Sequence, residues 1–291
     1  MRIAPALFVV LWSTGFIGAK LGLPYAEPFT FLTLRMAIVA VLLATIGFAQ
    51  HAPWPKDRTS VRQIGLAGLL VHGGYLGGVY AAIYHGLSAG LVALIVGLQP
   101  VLTAISAGLW FKEDVSSRQW VGLGLGLVGV ALVVAGKVDM AGVSSAGLAL
   151  AVLALISISA GTLFQKRYCQ AMDFRTGGAI QYAATGIVLG LLAGVSETMH
   201  VEWSGAFMFA LAWLCLVLSV GAVSVLFFLI KRGEAAQVSS LFYLTPPVTA
   251  LMAWVAFGEP LTILIFLGMA VAALGVALVI RKAPPQSGPV D

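Results

Sequence analysis

The side chains that could do chemistry in this sequence are few, and they suit binding better than bond-making. Arg35, Lys20 and His72 are charged or titratable groups set among long apolar runs. Gln99 stands beside Pro100, and Tyr243 and Thr245 stand beside Pro246. Trp12 with Ser13, Tyr75 and Ser157 add hydroxyls and aromatic faces at what the spacing makes mid-helix depth. A cation inside a membrane helix is costly, so Arg35 is expected to face the protein interior or water. There it would neutralise a solute carboxylate, pair with Glu27 during gating, or be satisfied by carbonyls as an architectural cation. His72 is a candidate proton carrier, against the plainer reading of a histidine bonded to a neighbouring helix. A proline inside a helix removes a hydrogen bond and frees a carbonyl. In lipid that carbonyl needs a partner in protein or cavity water. Pro100 and Pro246 are therefore expected helix breaks with a gating role, and their polar neighbours expected solute contacts. Together the expected substrate-binding set is Trp12, Ser13, Arg35, Tyr75, Gln99, Ser157, Tyr243 and Thr245.

Enzymatic chemistry finds no support. The histidines at 51, 72, 85 and 200 have no ligand spacing, so no metal site is expected. Cys169 and Cys215 suggest neither a disulfide nor a metal. Gly124-Leu125-Gly126-Leu127-Val128-Gly129 matches a dinucleotide fingerprint, but it lies in an apolar helix with no strand before it. No cofactor is expected.

The elements that must hold these residues are membrane helices. Sixty per cent of the 291 residues are hydrophobic, 9% are charged, and mean hydropathy is +1.02. About 20 apolar residues span the hydrocarbon core. Charges and turn residues cut the chain into ten such segments, near 4–23, 29–49, 64–84, 90–110, 119–136, 146–166, 176–195, 206–229, 236–257 and 262–281. The net charge of +5 sits in short loops, so it implies bilayer orientation rather than nucleic-acid binding. With the N-terminus cytoplasmic, thirteen of the sixteen Lys and Arg fall on the inner side, and both termini are cytoplasmic. The first nineteen residues resemble a signal peptide, but they align with the start of the second half and so are expected to be a span.

The second half repeats the first at a spacing of 146. Gly129-Val130-Ala131-Leu132-Val133 returns as Gly275-Val276-Ala277-Leu278-Val279, Pro100 as Pro246, Thr103 as Thr249, Glu113 as Glu259 and Lys20 as Lys166. Five helices per copy is an odd number, so the second copy must enter the membrane from the opposite face. The expected architecture is all-α: two inverted five-helix repeats, 4–136 and 146–281, around a central cavity, with a disordered cytoplasmic tail at 282–291. Glu113 and Glu259 are expected to cap the starts of helices 5 and 10.

Several residues carry a family resemblance. They are Leu11-Trp12-Ser13-Thr14-Gly15-Phe16, Lys20, Arg35, and a Pro-x-x-x-Ala…Glu pattern ending at Glu113 and again at Glu259, followed each time by a Gly-rich helix. With these marks the chain resembles the EamA-type transporters of the drug/metabolite transporter superfamily, over essentially residues 4–281. The resemblance implies ten helices around a central cavity and export of small metabolites, often amino acids or related amphipathic solutes, across the cell (inner) membrane. The mechanism expected is secondary transport by alternating access, with multidrug efflux the alternative and a membrane-embedded enzyme the reading from another class. No Asp or Glu falls at midplane, so facilitated transport is expected, with proton exchange the alternative. Two departures stand out. Pro246-Pro247 replaces a single proline, and Arg35 is answered by Gln181, so the halves are not electrostatically equivalent. Substrate identity and oligomeric state are not given by the sequence.

Overall fold

Short polar caps start the helices that long apolar runs then extend. The hydroxyls of Ser88, Ser144 and Ser204 accept from the backbone N–H three residues on, as does the Asp57 carboxylate, and each satisfies a donor that a helix start leaves free. The computed structural model describes residues 4–99, 101–103, 106, 117–138, 144–223, 225 and 245–280. Among these residues lie ten helical segments: α1 Ala4–Gly22, α2 Pro28–Ala49, α3 Arg58–Tyr84, α4 Ala89–Val96, α5 Ser117–Val138, α6 Ser145–Tyr168, α7 Phe174–Ser196, α8 Gly205–Ala222, α9 Thr245–Phe257 and α10 Ile263–Ile280. Five of them (α2, α3, α6, α7 and α8) are long and apolar enough to cross a membrane as described, and the others are shorter apolar helices. α3 begins at Arg58, ahead of the expected 64, because Asp57 caps a charged first turn that precedes the apolar run.

Three irregularities matter for function. α4 turns at Gly97 and Leu98, where Leu98 and Val101 bond only three residues back, before helix resumes at Gln99. π-helical turns occupy Leu69–Gly74 of α3 and Trp213–Ala222 of α8. Shifted by the repeat spacing, the first π turn falls inside the second.

The packing follows the same symmetry. α2 lies on α7, α4 on α9 and α5 on α10, each helix against its own counterpart. The exchanged pairs also match: α3 packs on α6 as α8 packs on α1, and α4 on α6 as α9 on α1. The closest crossing is reciprocal. A Cβ on Gly129 would lie 2.5 Å from the Gly268 carbonyl oxygen and 2.6 Å from the Ala272 nitrogen. One on Gly275 would meet the Gly122 carbonyl and, at 2.7 Å, the Gly126 nitrogen. In lipid no hydrophobic effect drives helices together, so such close backbone contact supplies the attraction. The apolar side chains of Val41, Leu191, Val255 and Ile263 face outward, while Ser13, Arg35, Gln181, Thr185, Ser219 and Thr249 are buried. That arrangement is the one a bilayer imposes. The chain is an all-α membrane protein of two inverted five-helix repeats.

Candidate functional site

Arg35 is the centre of the buried polar residues. It sits two turns into α2 and is 3% exposed. One guanidinium nitrogen donates to the Tyr80 hydroxyl of α3 at 3.2 Å, and the other to the Ser219 hydroxyl of α8 at 3.1 Å. Its Nε, also buried, has no acceptor among the described residues. Both partners are neutral, and no Asp or Glu among the described residues lies in contact with the guanidinium. A cation held in low dielectric by neutral partners alone is costly to bury.

The two π turns build the walls around it. Ser219 belongs to the π turn of α8, and its hydroxyl donates to the Leu214 carbonyl, five residues back. The Cys215 thiol of the same turn donates to the Arg35 carbonyl at 3.9 Å. From the π turn of α3, His72 stacks on Tyr182 of α7, ring centroids 4.2 Å apart and 26° between planes. π turns are frequent at functional sites because they misalign one residue from the regular ladder and leave carbonyls to bond elsewhere. Here the Leu70 carbonyl accepts both the Tyr75 N–H, five residues on, and the Ser157 hydroxyl of α6 at 3.0 Å.

The remaining expected site residues fall into separate groups. The Ser13 hydroxyl donates to the Val9 carbonyl at 2.7 Å and lies 3.4 Å from the Thr245 carbonyl, so α1 touches α9 just before Pro246. Gln99 donates its amide to the Thr162 hydroxyl of α6 at 3.1 Å, beyond the turn in α4. Pro246 is buried against Gly97, which brings the break in α4 against the start of α9. The hydroxyls of Thr245 and Thr249 are buried without partners, as is that of Thr103, the repeat counterpart of Thr249. Trp12 packs on Phe8, with ring centroids 5.3 Å apart. Tyr75 is part-buried beside the main core. Pro100, Tyr243, Glu113 and the tail 282–291 lie outside the described residues.

Two expectations need correction. Glu27 does not pair with Arg35. Its carboxylate accepts from the Thr198 N–H and hydroxyl at 2.7 and 2.6 Å, because it sits at the head of α2, well over a turn from the guanidinium. Glu259 does not cap α10. It accepts from Lys20 at 2.5 Å and from the Ala89 N–H at 3.1 Å, and so caps α4 across the repeat boundary.

Tyr80 and Ser219 stand outside the binding set expected from the sequence, as do Tyr182 and Thr162. Tyr182 had one available signal: it follows Gln181, the repeat counterpart of Arg35. Thr162 had none, since its role is to receive the amide of Gln99.

Comparison with known proteins agrees with this architecture. A solved structure titled simply a crystal structure of a protein superposes with a TM-score of 0.66 at 18% identity, covering 95% of this chain and 94% of its own. At that identity the likeness concerns the fold. The uncharacterised transporter YvbV of Bacillus subtilis (strain 168) is 26% identical over 97% of this chain and 92% of its own. The uncharacterised inner membrane transporter YedA of Escherichia coli (strain K12) is 26% identical over 94% and 88%. A probable amino-acid metabolite efflux pump of Salmonella typhimurium is 25% identical over 88% and 86%. The names point to a multi-pass membrane transporter of small molecules rather than to an enzyme. The EamA-like transporter family matches residues 3–135 and again 145–281, one match for each half. With the two matches together covering nearly its whole length, the chain belongs to the EamA-like transporter family.

Proposed function

We propose that this protein exports small carboxylate-bearing metabolites, amino acids or related amphipathic solutes, across the inner (plasma) membrane by alternating access. The observation that carries the reading is Arg35, buried with a free donor and no counter-charge among the described residues. A solute carboxylate completes it, accepting from Nε and competing with the two neutral hydroxyls. Tyr75, Tyr80 and the His72–Tyr182 stack supply aromatic surface on the same side. Ser13, Gln99, Ser157 and Thr245 line the path between the halves, with Trp12 and Tyr243 as further solute contacts.

The moving bodies are the two halves, 4–136 and 146–281. The break at Gly97–Leu98 lets α4 flex where it meets the start of α9 at Pro246. Orientation follows the basic residues: both termini face the cytoplasm, with Lys56, Arg58, Arg62, Lys166, Arg167 and Arg175 on the same side. The small-molecule solute and the lipid bilayer are the partners, with no nucleic acid, cofactor or metal required.

Purified protein in liposomes tests the reading. Arg35→Gln lowers transport of a carboxylate solute tenfold to a hundredfold, the worth of one charge-assisted hydrogen bond of about 1.5–3 kcal/mol. Equal rates in wild type and variant remove Arg35 from the site. A pH gradient tests His72. Solute accumulation driven in wild type but lost in His72→Gln gives His72 a proton-coupling role, and flux indifferent to the gradient removes it.

A further inference from the structure

We propose that Lys20 and Glu259 form a charge latch that holds one mouth of the transport path shut, so that Glu259 positions the gate as well as capping α4. The Glu259 carboxylate is almost buried, with its side chain 10% exposed, and it ties three elements at once. Lys20 comes from the end of α1, the Ala89 N–H from the start of α4, and Glu259 itself from the turn after α9. The first two belong to one half and the third to the other. Gly258, with φ +65°, ends α9 in the left-handed conformation that turns the chain and aims Glu259 back across the boundary. Lys20 also lies over the Phe257 ring, 4.9 Å from its centroid. Gly90, Leu91, Leu94, Ala250, Glu259 and Leu261 line a cleft directly behind the pair.

The carboxylates of the same face show what a fixed joint looks like. Glu197 accepts from the Phe29 and Thr30 N–H groups and the Thr30 hydroxyl, all at 2.7 Å, and Glu27 answers from α2 to Thr198. Those bonds come from backbone or from short side chains, and they join α2 to α7, which pack along their length. The Arg175–Asp173 pair is local to one helix start. Lys20 also bridges the halves but differs in kind: its long side chain is 28% exposed, and it holds by charge. Such a pair is weak enough to break in each transport cycle and strong enough to bias the closed state about fivefold.

The test uses the full-length protein in cell membranes and in inverted vesicles. Leu94→Cys places a thiol in the cleft, and a membrane-impermeant maleimide reads its exposure; the native Cys169 and Cys215 are buried and set the background. Glu259→Gln keeps an oxygen for the Ala89 N–H and removes the charge pair. Labelling of Leu94→Cys from the latch face rises about fivefold with no rise from the opposite face and no change in unfolding midpoint. Unchanged labelling, or an equal rise from both faces, overturns the latch. Should Glu259→Gln fail to accumulate in membranes, Lys20→Met keeps the packing on Phe257 and is read by the same two outcomes. The inference rests on transport by this fold and not on the solute, so its failure leaves the carboxylate reading standing.

Discussion

At the scale of single residues, the account turns on how Arg35 is satisfied. Its donors reach Tyr80 and Ser219, and Nε reaches nothing among the described residues, so the residues around it hold their positions without neutralising it. Tyr80→Phe removes one neutral partner of the guanidinium and leaves the ring packed on Phe31, whose centroid lies 5.3 Å away. Carboxylate solute should then bind with unchanged or tighter affinity, because the guanidinium loses a competitor; transport assays across solute concentrations measure this. A tenfold loss of affinity would instead make Tyr80 a direct solute contact. Arg35 itself was legible in the sequence, because an arginine seven residues into an apolar run is conspicuous. Its partners were not. Nothing in the spacing of Ser219 distinguishes a hydroxyl that bonds its own helix from one that also receives a guanidinium.

At the scale of elements, the crossing of α5 and α10 makes the sharpest demand on sequence. Gly129 and Gly275 each face backbone of the partner helix, so no side chain can be added without separating the helices. Gly129→Val is expected to destabilise the protein by about 1–3 kcal/mol, the usual cost of overpacking. Gly124 has open space where its Cβ would go, so Gly124→Ala is expected to be neutral or mildly stabilising. Thermal unfolding in detergent compares the two, and equal effects would mean that the crossing is not as close as described. The loop ahead of α7 adds a pH effect. Arg175 donates to Asp173 and also to Gln50 at the end of α2, and the hydrogen bond from Arg175 holds the Asp173 carboxyl below its usual range. A carboxyl depressed in the folded state stabilises above its unfolded pKa of about 3.9 and ceases to as pH falls through the folded value. The unfolding midpoint of Asp173→Asn should therefore differ from wild type near neutrality and converge with it in acid; a constant difference would assign the effect to shape.

The ten segments themselves were largely readable, because charges and glycines punctuate the apolar runs. The π turns were not. A π turn shifts the register by one residue, and in α3 and α8 the positions on either side of the shift are apolar alike, so hydrophobic periodicity carries no trace of it. The helix that Glu259 caps was also out of reach. A glutamate just before an apolar run reads as a cap for that run, and only the packing of α4 against α9 brings the Ala89 N–H nearer.

At the scale of the whole molecule, duplication was the strongest sequence signal, and the packing repeats it: each of α2, α4 and α5 lies on its own counterpart, and the remaining pairs exchange. An inverted repeat makes two alternative arrangements of similar energy available to one chain, which is what alternating access needs. The halves differ where function requires. Arg35 in one half is answered by Gln181 in the other, so under the proposed function a solute carboxylate is met on one side of the pseudo-twofold only. Which mouth is open at a given moment is then a question of the contacts between halves, and which solute crosses is a question of the guanidinium.

Counterflow in liposomes puts that account to its most direct test. Vesicles holding purified wild-type protein are loaded with an unlabelled amino acid and offered a labelled one, in competition with the same molecule lacking its carboxyl group. The account predicts counterflow of the amino acid that the decarboxylated amine fails to compete away. Counterflow carried or blocked equally well by the amine would contradict it.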